Sequence, residues 1–290
     1  EAERLDRERA EGTVRGPLHG IPVALKDNIH TTDMPTTGGA LAFAGLVPPY
    51  EATLTENLRE AGAIILAKTV LTELANWVAG DPFESPDNFS PLGGYASNPY
   101  DARRDPRLAT TEVWPVLETG GSSSGIGTSA NLWAASVGTE TSGSILWPSS
   151  QTMLVGIKPT VGRVSRYGII PITADQDTAG PMTRTVMDAA ILLGVLEGDV
   201  ADPNDAATGR CEAPADNDYT VFLDAAALNG ARIGIPRAGF LEPIPVPGTD
   251  RQSGQLTPEE GRVMADAIAV LEAQGAVIVD PADLPTVLDP

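Results

Sequence analysis

Serine, glycine and lysine are the residues with which this chain could do chemistry. Between Gly120 and Ser150 runs GGSSSGIGTSANLWAASVGTETSGSILWPSS. Serines and glycines crowd there, but Trp133, Trp147 and other apolar residues are interleaved, so the segment is not a flexible linker. Glycine at this density lets backbone approach a ligand closely, and exposed N–H groups suit an oxyanion hole; a tight structural loop is the alternative. A serine nucleophile needs a base. Gly121–Gly125 fits the G-x-S-x-G elbow of α/β-hydrolases, but Pro115 interrupts the strand that should precede it. Both histidines, His19 and His30, lie upstream, against the Ser–acid–His order of that fold. By elimination the base is a lysine, and the chain has three: Lys26, Lys68 and Lys158. Lys26 ends the apolar run IPVALK and precedes Asp27 and Asn28. Desolvation disfavours an ammonium, and buried lysines reach a pKa of about 5–6. Lys26 could then be neutral and accept a serine proton, or it could form a salt bridge with Asp27 or another carboxylate.

Other chemistries fit poorly. Gly62–Thr69 (GAIILAKT) approaches a phosphate-binding loop, but Ala67 stands where the second glycine is required and AIIL is strand material. Two histidines and one cysteine match no metal-ligand spacing, so neither a metal nor a cofactor is expected. Cys211 reads as an ordinary thiol. The formal net charge of −20, from 39 acidic and 19 basic residues, would repel nucleic acid and anionic membranes. No run of 18 apolar residues suggests a membrane span. Residues 1–11 are charged rather than leader-like, which makes the cytoplasm the default compartment, and the loop-like end at Pro290 hints at further domain beyond it. The oligomeric state is not legible.

Strand-type runs alternate with helix-type patterns, which predicts an α/β fold. Strands are expected at 21–26, 63–67, 232–236 and 276–280. Helices are expected from a Thr53–Glu56 capping box to about Ala61, at 71–78, at 127–137, at 184–196, and from a Thr257–Glu260 capping box to Gln274. The Pro-, Gly- and Asp-rich stretch 80–121 is too long for a plain connection and reads as functional. Residues 197–220 read as an acidic surface linker.

Several stretches, in one order along residues 16–196, resemble the amidase signature family: GPLHGIPVALKDNI, AGAIILAKT, NPYD, GGSSSG, GTETSGSI, VGIKPTVGRVSRYGIIPI and DQDTAGPMTRTVMDAA. The resemblance implies a single domain over 1–290 with a mixed central β-sheet covered by helices, incomplete at its C-terminus. It implies Ser144 of GTETSGS as the nucleophile. Ser122 of GGSSSG would be a bridging serine after a cis peptide bond, and Lys26 the base. Backbone N–H groups at Thr141, Ser142, Gly143 and Ser144 would form the oxyanion hole. The implied activity is hydrolysis of a small uncharged or peptide-like amide, closest to peptide amidases. Leu146, where the A-type subunits of tRNA-dependent amidotransferases usually carry arginine, disfavours a charged substrate such as glutamine. A non-catalytic homologue and an amidotransferase A-type subunit that releases ammonia from glutamine remain the alternatives. Ser122 and Ser144 are 22 positions apart, which is roughly two residues short of the family pattern, and such a loss inside a helix would rotate its downstream part by about 200°. That shortening and the missing C-terminal portion predict a weak catalyst, unless the helix after Ser122 starts later.

Overall fold

The computed structural model describes residues 1–77, 89–103, 121, 124–210, 212–246, 248–254 and 256–288. The chain forms two compact units, Glu1–Val221 and Phe222–Pro290.

The first unit begins with helix α1 (Ala2–Ala10), whose buried residue is Leu5. The buried His19, in the turn after this helix, pins it. Its Nε2 donates to the Leu5 carbonyl (2.9 Å), while its Nδ1 accepts the Arg15 N–H (3.2 Å), which fixes the tautomer. The apolar run forms strand β1 (Pro22–Lys26), buried from Val23 onward. Helix α2 (Thr53–Glu60) leads to strand β2 (Ile64–Thr69). The expected capping box does not form here. Ala52 is the N-cap, and the Thr53 hydroxyl bonds the Asp202 carboxylate instead (2.5 Å). The expected helix at 71–78 is only a short 3-10 turn, Glu73–Asn76, with Leu74, Ala75 and Asn76 at positive φ. Part of the 80–121 stretch lies outside the described residues; the rest includes the hairpin of β3 (Phe89–Ser90) and β4 (Gly94–Tyr95).

Helix α3 (Ser124–Ser129) is followed by strand β5 (Ala135–Glu140), where the sequence suggests one helix over 127–137. The helix begins at Ser124, so a later start does not absorb the short serine spacing. It ends in a turn with Asn131 at φ 60°, and Trp133 Nε1 donates back to Thr128 Oγ1 (3.0 Å). β5 is buried throughout. A strand covered on both faces loses the polar–apolar alternation by which a strand is recognised. Helix α4 (Leu146–Gln151) and the short strand β6 (Val155–Gly156) precede β7 (Thr178–Thr183) and helix α5 (Val186–Glu197).

The sheet order is β2-β1-β5-β7-β6. β1 runs parallel to β2 and to β5, whereas β7 runs antiparallel to β5 and β6. This is the mixed sheet with helical cover that the family resemblance implies. Period-2 alternation sorts β1 into two sets. Val23 and Leu25 join Leu54 and Leu58 of α2 and Leu192, Leu193 and Leu196 of α5 in the main core. Ala24 and Lys26 are the alternate set. Each side chain in this core, fully buried, contributes about 1.5–3 kcal/mol.

The segment 197–220 is no loose linker. Asp202 and Asp205 are buried; Ser165 Oγ donates to Asp202 (2.6 Å) and Arg166 clasps Asp205 through Nε (2.7 Å) and a terminal nitrogen (2.5 Å). Asp and Pro composition suggests a solvated strap, but these carboxylates are paired across sequence distances that local reading cannot see.

The second unit pairs β8 (Arg232–Gly234) in parallel with β11 (Val277–Val279), joined through helix α6 (Pro258–Ala273). It also carries a small antiparallel pair, β9 (Ile244–Pro245) with β10 (Gln252–Ser253). The Thr257–Glu260 capping box forms in full. Glu260 Oε2 accepts the Thr257 N–H (2.7 Å), and Thr257 Oγ1 accepts the Glu260 N–H (3.2 Å).

Candidate active site

β1 and β5 are parallel neighbours, so both deliver their C-terminal residues to the same edge of the sheet. β1 ends in Lys26. β5 ends in Glu140, from which the chain turns through Thr141, Ser142 and Gly143 to Ser144 and into α4.

Lys26 is fully buried, and its Nζ donates to the Thr139 carbonyl oxygen (3.0 Å). Among the described residues, the salt bridge that local sequence leaves open is not made. Asp27 pairs with Lys68 (3.3 Å) and accepts from Thr37. Burial pushes the Lys26 ammonium down to about 7, against the opposing pull of the Glu140 and Asp177 charges. A neutral amine that donates one N–H to a carbonyl still has a lone pair to receive a proton.

Ser144 is half-buried at the head of α4. Its loop is organised by Glu140, a residue that sequence reasoning passes over. Glu140 Oε1 accepts the Gly143 N–H (2.8 Å), and Oε2 accepts those of Ile145 (2.7 Å) and Leu146 (2.8 Å). One carboxylate therefore binds backbone on both sides of Ser144. Gly143 sits at φ +103°, where a Cβ would be strained. Its N–H is engaged by Glu140, whereas those of Thr141, Ser142 and Ser144 have no partner among the described residues. Thr141 Oγ1 donates to Asp177 Oδ1 (2.6 Å), and Asp177 Oδ2 accepts the N–H groups of Ile172 (2.7 Å) and Thr173 (2.9 Å). Asp177 lies inside the DQDTAGP stretch, but nothing local reveals that it faces Thr141.

Ser122, the peptide bond before it and Ser123 lie outside the described residues; Gly121 and Ser124 do not. A Cβ on Gly121 would stand 2.5 Å from Ser144 Oγ, so only glycine lets that backbone come so near the Ser144 hydroxyl. On the other side, Ser124 Oγ is hydrogen-bonded to Thr69 Oγ1 (2.7 Å) at the end of β2, which pairs with β1. Gly121 thus lies against the Ser144 loop, and Ser124 is bonded to the strand that pairs with the one bearing Lys26.

Gly121, Thr141, Ser142, Gly143 and Ser144 open onto a cavity of about 340 Å³, walled by Trp77 and Trp147. Both rings are well exposed, as is Leu146. No helix among the described residues is long and apolar enough to cross a membrane.

Known proteins resemble this chain in sequence and fold. The amidase family model matches residues 1–289. A putative amidase of Arthroderma benhamiae is 39% identical over 97% of this chain, and the match covers 43% of that protein. The A-type subunit of the glutamyl-tRNA(Gln) amidotransferase of Rhodopirellula baltica is 36% identical over 96% of this chain and 49% of its own length. The native peptide amidase of Stenotrophomonas maltophilia superposes with a TM-score of 0.81 at 41% identity, over 98% of this chain and 52% of that one. The chain spans about half the length of these relatives. By the family match over nearly all its residues and the shared fold, the chain belongs to the amidase family.

Proposed function

We propose that the protein hydrolyses an amide C–N bond through an acyl-enzyme on Ser144, with Ser122 relaying protons and Lys26 as the base. The observation that carries this reading is Lys26 itself. It is wholly buried, bound at Nζ to a carbonyl rather than a carboxylate, and shifted to about 7 beside the loop that bears Ser144. A base poised near the working pH transfers protons most effectively.

Ser144 passes its proton to Ser122, whose own proton goes to Lys26 Nζ. Ser144 Oγ bonds to the amide carbon, and the carbonyl oxygen becomes an oxyanion. The free N–H groups of Thr141, Ser142 and Ser144 receive it; Gly143, whose N–H is held by Glu140, serves the geometry instead. Each such donor is worth about 3–4 kcal/mol in the transition state. When the C–N bond breaks, the proton returns through Ser122 to the departing nitrogen. Water then attacks the acyl carbon by the same relay, releasing the acid and restoring Ser144.

The substrate reading is a small uncharged or peptide-like amide. The indoles of Trp77 and Trp147 give the cavity beside Ser144 an aromatic wall, and Leu146, two residues after Ser144, brings no charge. The peptide amidase among the similar structures supports a peptide amide, and the amidotransferase relative makes glutamine the competitor to test. A fluorophosphonate should label Ser144, as read by peptide mapping, and a panel of peptide amides should be turned over in preference to glutamine. An adduct on any other residue would refute the assignment; faster turnover of glutamine would refute the substrate class.

A further inference from the structure

A second cavity, of about 350 Å³, adjoins the Ser144 cavity and shares Ala75, Thr141 and Ile172 with it. Nothing in the proposed reaction uses Asn28, Ile170, Pro171 or Asp205, which line it but not the Ser144 cavity. Among its lining residues, the side chain of Asn28, only 3% exposed, leaves its Oδ1 without a partner among the described residues. The orientation of that amide is fixed. Nδ2 donates to Thr139 Oγ1 (3.0 Å) and approaches the Ile170 carbonyl (3.5 Å), which can only accept. A buried acceptor left bare is costly, and such groups are normally satisfied.

The charge around this acceptor is negative. Glu140, Asp177 and Asp205 line the cavity against the guanidinium of Arg166, which is spent on Asp205. Asp177 uses three acceptor directions, on Thr141, Ile172 and Thr173, leaving one free. The walls are apolar, from Ile170, Pro171 and Ile172. A cavity lined by apolar side chains, a bare amide oxygen and an excess of carboxylate suits one chemical class.

We infer that this cavity is a substrate subsite for a primary ammonium group on an apolar stem, received by Asn28 Oδ1 and Asp177. This deepens the amide-hydrolase reading and rests on it for the role as a substrate subsite; the binding itself does not. The ammonium could belong to the acyl part of the substrate or to its amine part, and two substrate pairs separate these. The first pair is 6-aminohexanamide against heptanamide, which differ in an acyl-side ammonium or methyl. The second is N-(6-aminohexyl)acetamide against N-heptylacetamide, which differ on the amine side.

A charge-assisted hydrogen bond predicts a kcat/KM preference of about tenfold or more for the ammonium member of one pair. The preference should shrink at least about threefold in Asp177→Asn and in Asn28→Leu, and should weaken as salt is raised. If the methyl members are turned over and neither ammonium member is preferred, the subsite is refuted while the amidase reading stands. If no member of either pair is turned over, calorimetry decides. Hexylammonium chloride should bind at least about tenfold more tightly than hexanol to the wild-type protein. Equal affinity refutes the inference. Fluorophosphonate labelling of Ser144 then judges the amidase reading separately.

Discussion

Replacing Glu140 with glutamine removes a charge with almost no change in volume, and the three N–H groups on its carboxylate set the expected outcome. A glutamine amide keeps one acceptor oxygen. Placed at the Oε2 position, it can still serve Ile145 and Leu146, but as a neutral acceptor. Its NH₂ then faces the Gly143 N–H, donor against donor. Charged hydrogen bonds are worth about 1.5–3 kcal/mol and neutral ones about 0.5–1.5, so one bond lost and two weakened take about 3.5–6 kcal/mol of restraint from the loop. Ser144 sits between the two sides that Glu140 holds. A displacement of about 1 Å at a reacting atom costs about a hundredfold in rate, so kcat/KM should fall by about that factor. Glu140 has a second effect, because its charge raises the pKa of Lys26 against the lowering by burial. Without it the Lys26 pKa falls, and the acid limb of the pH profile moves below its wild-type position near 7. The assay is kcat/KM against pH on a chromogenic peptide anilide, with Glu140→Asp as the variant that keeps the charge on a shorter reach. Wild-type kcat/KM in Glu140→Gln would refute the loop argument, and an active variant with an unmoved limb would refute the electrostatic one.

Wild-type kcat/KM should itself rise through about pH 7 as Lys26 loses its proton, and a profile flat from pH 5 to 9 would exclude Lys26 as the base. Lys26→Met should abolish turnover yet stabilise the fold. The depressed folded pKa means the unfolded chain binds more protons between about 7 and 10.5, so stability rises with pH across that window and the burden is complete below it. At 1.36 kcal/mol per unit this is about 4–5 kcal/mol, and a melting temperature several degrees higher at pH 7 checks it, offset in part by the lost bond to Thr139. Gly121→Ala should cut kcat/KM about a hundredfold or more, since its Cβ would press on Ser144 Oγ, while circular dichroism stays unchanged; an active variant would show that the loop yields. Two glycines inserted after Asn131 should alter kcat/KM less than about threefold, because the connection there is a turn and not a helix; a large gain would mean the short serine spacing limits the enzyme.

How much of the fold and the site is legible in the sequence depends on the range of the interactions. Strands with local signatures, 21–26 and 63–67, lie close to where apolar runs put them, and the Thr257 capping box is reproduced atom for atom. The motif at 53–56 has the same spacing but does not cap, since Asp202, 149 residues away, takes the threonine hydroxyl. β5 reads as helix because small residues covered on both faces carry no periodicity. Lys26 and Ser144 announce themselves as rare or clustered reactive residues. Glu140, Asp177 and Asn28 do not, for one acidic or amide side chain is like another until the fold shows what it faces. The one hint for Glu140 is its position, a carboxylate that ends a strand just before a serine–glycine turn.

The parallel pairing of β1 with β5 has a consequence for assembly. Lys26 reaches Thr139 across 113 residues of sequence, and parallel neighbours cannot be joined by a tight hairpin. Closing so long a loop costs entropy before any contact returns it, which makes such pairings late events in folding. No short peptide from this chain holds both halves of the acid–base apparatus, and a partly folded chain with β1 formed but β5 undocked would leave Lys26 in water as an ordinary ammonium. On the proposed mechanism the chemistry is therefore switched on by topology, because the docking of β5 beside β1 is what removes Lys26 from water.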